Sequence, residues 1–205
     1  MVVRNIMRNK MRTIMSCVGL LCCNALIIAS LGLQDSVDRT ADDYYDKALG
    51  YDVIVTLDER ADEVSVYKER LDAAGVEGIM ETSARVFTQD AERITKLTVV
   101  EDGQQMLRLG PDGSYVPLLG GQAVMTEKLA QTLGLSLGDS FIFQLAGDNE
   151  TQAATLGQIV SNDFSQGLYM TATTWEGLRK GAFVPTALEL AAPSAAALSA
   201  LEDMD

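Results

Sequence analysis

The start of the chain is dominated by one apolar run. Residues 13–33, "TIMSCVGLLCCNALIIASLGL", contain no charged side chain. As a helix rising about 1.5 Å per residue, such a run reaches about 31 Å, the hydrocarbon thickness of a bilayer. Nine of its residues are Leu, Ile or Val. Each favours insertion by about 0.3–0.6 kcal/mol at a helix centre, so the single Asn24 does not prevent it. Before the run, Arg4, Arg8 and Arg12 recur every four residues with Val3, Ile6, Met7 and Ile14 around them. That is the pattern of an amphipathic helix on a membrane surface. After it, Val37, Ala41, Tyr44 or Tyr45 and Ala48 stay near helical spacing up to Gly50. The pattern predicts an elbow over 1–12, a transmembrane helix over 13–33 and a helical stalk over 34–50.

From residue 51 the periodicity changes. "YDVIVTL" is short and β-branched and predicts a strand; Val64, Tyr67, Leu71 and Ala74 then repeat with helical spacing, with Gly75 placed to end that helix. "RVFTQ" and "ITKLTVVED" predict two strands, followed by a Gly-, Asp- and Pro-rich stretch over 102–121. Thr126 can cap a short helix that Gly134 ends. Phe141, Phe143 and Leu145 alternate on one face of a strand, and the turn cluster "AGDNE" joins it to "TQAATLGQIVS", so residues 140–161 read as a hairpin. "LYMT" predicts a strand, "TTWEGLRKG" a short capped helix, and "FVPTALEL" an edge strand tolerating Pro185. "PSAAALSALEDMD" predicts a helix in which the chain stops without a terminating signal, as a segment of something longer would. The expected fold class is α+β, with residues 51–205 forming a mixed α/β domain.

Charge divides the chain in the same way. Its formal net charge is −13, yet residues 1–33 hold Arg4, Arg8, Lys10 and Arg12 and no acid, leaving 12 basic against 29 acidic residues in the rest, a net of −17. The acidic body offers nucleic acid no basic stripe, while four clustered cations suit an anionic membrane surface. The Lys and Arg bias places the N-terminus in the cytoplasm and the body outside the cell membrane. A signal peptide has an apolar region of only ~7–15 residues ending in a small-x-small site, which "IIASLGLQD" fits poorly, so the run reads as a retained anchor. Cys17, Cys22 and Cys23 all lie within it, so no disulfide framework is expected outside.

Catalytic constellations are missing. The chain has no histidine, no thiol beyond the span, no Walker-type loop and no G-x-S-x-G. No enzyme activity, cofactor or metal is expected. "GDNE" lacks the alternating ligands of a calcium loop and reads as a hairpin turn, and Asn149 opens an N-x-T triplet. Trp175 reads as core packing. Within the span, Gly19 with Cys23 and Ala25 with Ala29 form small-xxx-small pairs, and Asn24 can hydrogen-bond across helices, so these five residues are the expected helix–helix contact.

Two stretches then resemble a known family. "RNIMRNKMRTIMSCVGLLCCNALIIASLGLQDSV" resembles the first membrane helix of FtsX-like (MacB-type) ABC transporter permeases, and "MTEKLAQTLGLSLGDSF", followed by a hairpin and "LYMT", is similar to their extracytoplasmic domain. The match is weakest over 91–116. The resemblance implies a permease subunit paired with a separate cytoplasmic ABC ATPase, and a two-lobed domain of the MacB periplasmic-core type. In it both ends of the body would form a βα base, and residues of about 97–172 an inserted lobe. It also implies further permease helices, or a second permease copy, as partners in the bilayer. The function expected is anchoring and presentation of an outer domain for ATP-driven export or mechanical transmission. The rival reading is a single-span receptor or adaptor whose outer domain binds a ligand or partner. The kind of substrate is left open between lipid, peptide, drug and mechanical signal.

Overall fold

In the computed structural model, helix α1 (Lys10–Asp43) carries the whole uncharged run without interruption over 34 residues. The structure describes residues 10–43, 49–57, 75–162, 166–179, 181–194 and 199. Arg4 and Arg8, the helix expected over 61–74 and most of the one expected after Pro193 lie outside the described residues. The chain divides into two units, Met1–Tyr45 and Asp46–Asp205. In the first, every described side chain from Ile14 to Arg39 is exposed. The two serine hydroxyls of the span turn back into the helix: Ser16 donates to the Arg12 carbonyl at 3.0 Å and Ser30 to that of Leu26 at 2.8 Å. Both polar groups are thereby satisfied within the helix itself, as an apolar surrounding requires.

The second unit is a mixed α/β domain. Its elements are β1 (Val53–Thr56), β2 (Gly75–Phe87), β3 (Glu92–Val100), β4 (Ala123–Thr126), α2 (Glu127–Leu133), β5 (Ser140–Leu145), β6 (Thr151–Val160), β7 (Gly167–Thr171), α3 (Ala172–Arg179) and β8 (Ala187–Ala191). Among the described residues the strands form one sheet in the order β1-β8-β2-β3-β7-β4-β6-β5, with β2 also pairing with β5. The long β2 makes this possible. Its first part, from Gly75 to Ile79, pairs with β8, and its last part, from Ala84 to Phe87, pairs with β5. Six strands therefore close on one another, and β1 with β8 extends from the start of β2.

Alternation along each strand fills the interior. Ala84 and Val86, Leu97 and Val99, Ala123 and Met125, Phe141 and Phe143, Ala154 and Leu156, Leu168 and Met170 form one cluster, two residues from each of the six strands. Leu129, Ala130 and Leu133 of α2 and Trp175 of α3 join it. The outer side of β4, β6 and β7 is covered by the irregular stretch between β3 and β4, whose Leu109 packs with Val124, Val160 and Tyr169. Leu107 and Leu118 from the same stretch also reach Ile79, Val100 and Ala187.

Three local expectations change. Gly75 begins a strand, β2, that the sequence did not predict there, and it runs through "GVEGIMETSA", whose two glycines and two glutamates hide it from a propensity reading. Strand β8 is interior rather than an edge, since β1 pairs on one side and β2 on the other, and Pro185 precedes it. Thr126 occupies the N-cap position of α2, but its hydroxyl makes no cap bond. It donates instead to Gln166 Oε1 at 2.8 Å and accepts from the Gly167 amide at 3.3 Å, tying β4 to the start of β7. Gly134 ends α2 as expected, at φ +68°, a left-handed conformation that glycine adopts without steric cost.

Candidate functional site

Of the residues expected to act at the membrane, Arg4 and Arg8 are outside the described residues, while Lys10, Arg12, Gly19, Cys23, Asn24, Ala25 and Ala29 lie on α1. Lys10 and Arg12 stand in its first turn. At about 100° per residue, Gly19 and Cys23 fall within about 40° of each other on the helix surface, as do Ala25 and Ala29. Asn24 sits about 100° away from both Cys23 and Ala25, on the side between the two small pairs where Leu20, Ile27 and Leu31 project. Asn24 thus lies on a different face of α1 from the two small pairs. A Cβ built on Gly19 meets nothing within 4 Å. The three cysteines are free and exposed.

In the outer unit, sequence reasoning passed over a site built on β2 and β8. Their antiparallel register sets Glu77 directly opposite Glu189, and Ile54 of β1 lies opposite Glu189 on its other side. Facing residues of an antiparallel pair project from the same side of the sheet. Glu189 is 4% exposed, and its Oε2 has no hydrogen-bond partner among the described residues. Its carboxyl is pushed up from 4.5 to about 8, first by burial, then by the charges of Glu77 and Glu81, with Lys96 opposing. Glu81 is itself paired with Lys96.

Glu77 holds a backbone segment. The amides of Gln105 and Met106 donate to its two oxygens at 2.8 and 3.1 Å. The buried Gln104 accepts from the Leu107 amide at 2.8 Å, so residues 104–107 form a tight strap. On the strap's other edge, the Gly50 amide donates to the Met106 carbonyl at 2.9 Å, and Leu49 bridges Leu107. A side chain at Gly50 would run into the Met106 backbone, so the close approach requires glycine there. The first described residues of the outer unit therefore dock on a strap that Glu77 anchors to β2. The signal in the sequence was slight: one acid in "VEG" and one in "LEL", each where alternation alone would send it to solvent.

A second polar cluster joins the β5–β6 turn to α3. Arg179 Nη1 donates to Asp148 Oδ2 at 2.7 Å, and the Arg179 guanidinium lies 5.4 Å from the Trp175 ring. The Glu150 amide donates to Asp148 Oδ1 at 3.0 Å. That bond first, and Arg179 next, hold the Asp148 carboxyl below its usual range. "GDNE" is thus a turn whose aspartate serves structure. Among the described residues, no group of three or more Cys, Asp or Glu is arranged to hold a metal.

The chain thus combines one helix long and apolar enough to cross a membrane with a mixed α/β domain. No protein-family model matches it, and no curated protein does. Among solved structures it is similar to the extracellular domain of the noncanonic ABC-type transporter YknZ from Gram-positive bacteria, at 12% identity over 71% of this chain and 78% of that one, with a TM-score of 0.48. It is also similar to the periplasmic region of MacB from Actinobacillus actinomycetemcomitans, at 14% identity over 73% of each chain, with a TM-score of 0.45. At this level neither protein's activity transfers to the chain.

Proposed function

We propose that this chain is the N-terminal part of an FtsX-like (MacB-type) ABC transporter permease subunit, anchoring and presenting an extracytoplasmic domain. The observation that carries the reading is the family-like order of motifs, whose residues fall on defined elements. "MTEKLAQTLGLSLGDSF" spans the end of β4, α2 and the start of β5, and "LYMT" lies in β7. Met125, Leu129, Ala130, Leu133, Phe141, Leu168 and Met170 within these motifs belong to the main core cluster, so the likeness is carried by residues that build the domain. Ahead of them, α1 provides the uncharged run of spanning length with basic residues at its start.

In this reading the N-terminus is cytoplasmic and the acidic domain lies outside. The remaining permease helices and a cytoplasmic ABC ATPase complete the machine, in which ATP hydrolysis drives export or moves the outer domain. Leu49 and Gly50, docked on the strap, are where motion passed along the chain from the membrane side would enter β2. The test is to purify the native full-length protein from its own membranes with mild detergent and identify what copurifies. A stoichiometric subunit carrying a Walker-type phosphate loop is expected. A protein that runs alone, or with a partner lacking that motif, rejects the permease reading and favours a single-span receptor or adaptor.

A further inference from the structure

We propose that Glu189 is a proton-operated latch on the strap 104–107: neutral, it leaves Glu77 free to hold the Gln105 and Met106 amides, and ionised, it loosens them and the Leu49–Gly50 segment docked there. The idea concerns the outer unit alone and stands whether or not the permease reading holds.

The geometry supplies each part. Glu189 and Glu77 face each other across adjoining strands, so two negative charges there share one side of the sheet. Glu77 spends both oxygens on strap amides, whereas Glu189 is buried with Oε2 lacking a hydrogen bond among the described residues. A buried, unsatisfied carboxylate is costly, and protonation removes the cost. Among the described residues, the charged groups facing Glu189 are Glu77 and Glu81 from β2 and Lys96 from β3. Lys96 is already paired with Glu81, and thus offers Glu189 only a partial counter-charge. Strand β1 places the uncharged Ile54 opposite, and Asp52 just before it accepts from the Ala192 amide at 2.6 Å. The strap contributes no charge of its own, since residues 104–107 are Gln, Gln, Met and Leu. A second negative charge at Glu189 therefore acts most directly on Glu77, and Glu77 is what holds the strap. The ordinary range of a glutamate would leave such a latch permanently open; burial brings its transition to about 8.

The test is a titration of the full-length chain in lipid nanodiscs, labelled with 15N and 13C-glutamate, from pH 6 to pH 10. The Glu189 Cδ resonance and the Gln105 and Met106 amides are expected to shift with one common midpoint. Amide-exchange protection at both, corrected for intrinsic rate, is expected to fall about tenfold above that midpoint, the change that one pK unit of coupling between the carboxyls produces. Glu189→Gln should keep the protection at every pH. Glu77→Gln should lose it at every pH and lower the Glu189 midpoint. Strap amides that stay protected while Glu189 titrates overturn the proposal, and so does a Glu189→Gln chain that loses protection as the parent does. Should Glu189→Gln not fold, co-titration in the parent chain decides by itself.

Discussion

Glu189 of β8 lies opposite Glu77 of β2, a buried carboxyl set against one that grips two backbone amides. This pairing makes stability depend on pH in a defined direction. The folded chain holds a proton on Glu189 up to about 8, whereas the unfolded chain releases it near 4.5. Between those values the folded state binds more protons, so stability falls as pH rises through the window and levels off above it. Urea denaturation of the outer domain in the full-length chain should show that decline. Glu189→Gln should flatten it and leave the variant more stable at pH 9 by a few kcal/mol. A parent profile that is level from pH 5 to pH 9 contradicts the assignment.

Phe143 is fully buried among residues of six strands. Phe143→Ala removes a large, fully buried side chain from that cluster and should cost about 3–5 kcal/mol. The midpoint of urea unfolding measures it. Ile142→Ala, one residue away on the outward face and 46% exposed, should cost far less. Similar losses at both positions would refute the inward and outward alternation.

Gly50→Ala tests the strap without touching charge. The added methyl overlaps the Met106 backbone, so the Gly50–Met106 hydrogen bond must break or the strap must shift. A destabilisation of about 1–3 kcal/mol is expected, with lost amide protection concentrated at Gly50 and Leu107. Gly134→Ala should also destabilise, through its left-handed φ, but without any change at the strap.

The Asp148–Arg179 contact should matter at low pH. Because its folded carboxyl is held below the usual 3.8, Asp148 contributes stability above that value and loses it as pH falls through the lower, folded one. Asp148→Asn should remove this part of the acid limb while leaving the neutral-pH fold intact. Thermal unfolding at pH 3 and pH 7 compares the two; an unchanged acid limb counts against the contact.

Membrane orientation can be read with a single thiol. Replacing Cys17, Cys22 and Cys23 by alanine and introducing cysteine at the exposed Asn149 should give a chain that a membrane-impermeant maleimide labels on intact cells. Cysteine at Met1 should react only after permeabilisation. The reverse pattern overturns the orientation drawn from Arg4, Arg8, Lys10 and Arg12.

Features set by neighbours in the chain were legible. The span, the α2 helix with its Gly134 stop, the β5–β6 hairpin and the β7 to α3 step all follow from periodicity and turn residues. Each is set by one contiguous run of positions. In contrast, nothing in "GVEGIMETSA" announces a strand, because β2 owes its extension to β3, β5 and β8 along its flanks. "FVPTALEL" looked like an edge because Pro185 cannot donate to a ladder, yet the proline stops two residues short of the paired segment.

The sequence by itself therefore determined the apolar span with its basic flank, the α+β character of the body, and the local elements whose hydrophobic period is their own signature. Tertiary structure alone decided that β2 closes six strands into one core, that residues 104–107 strap onto Glu77, and that Glu189 is buried. The physical reason is range. Whether "LEL" sends its glutamate to water or into the fold depends on what pairs with both flanks of β8, and those partners, Ile54 and Glu77, lie more than a hundred residues away.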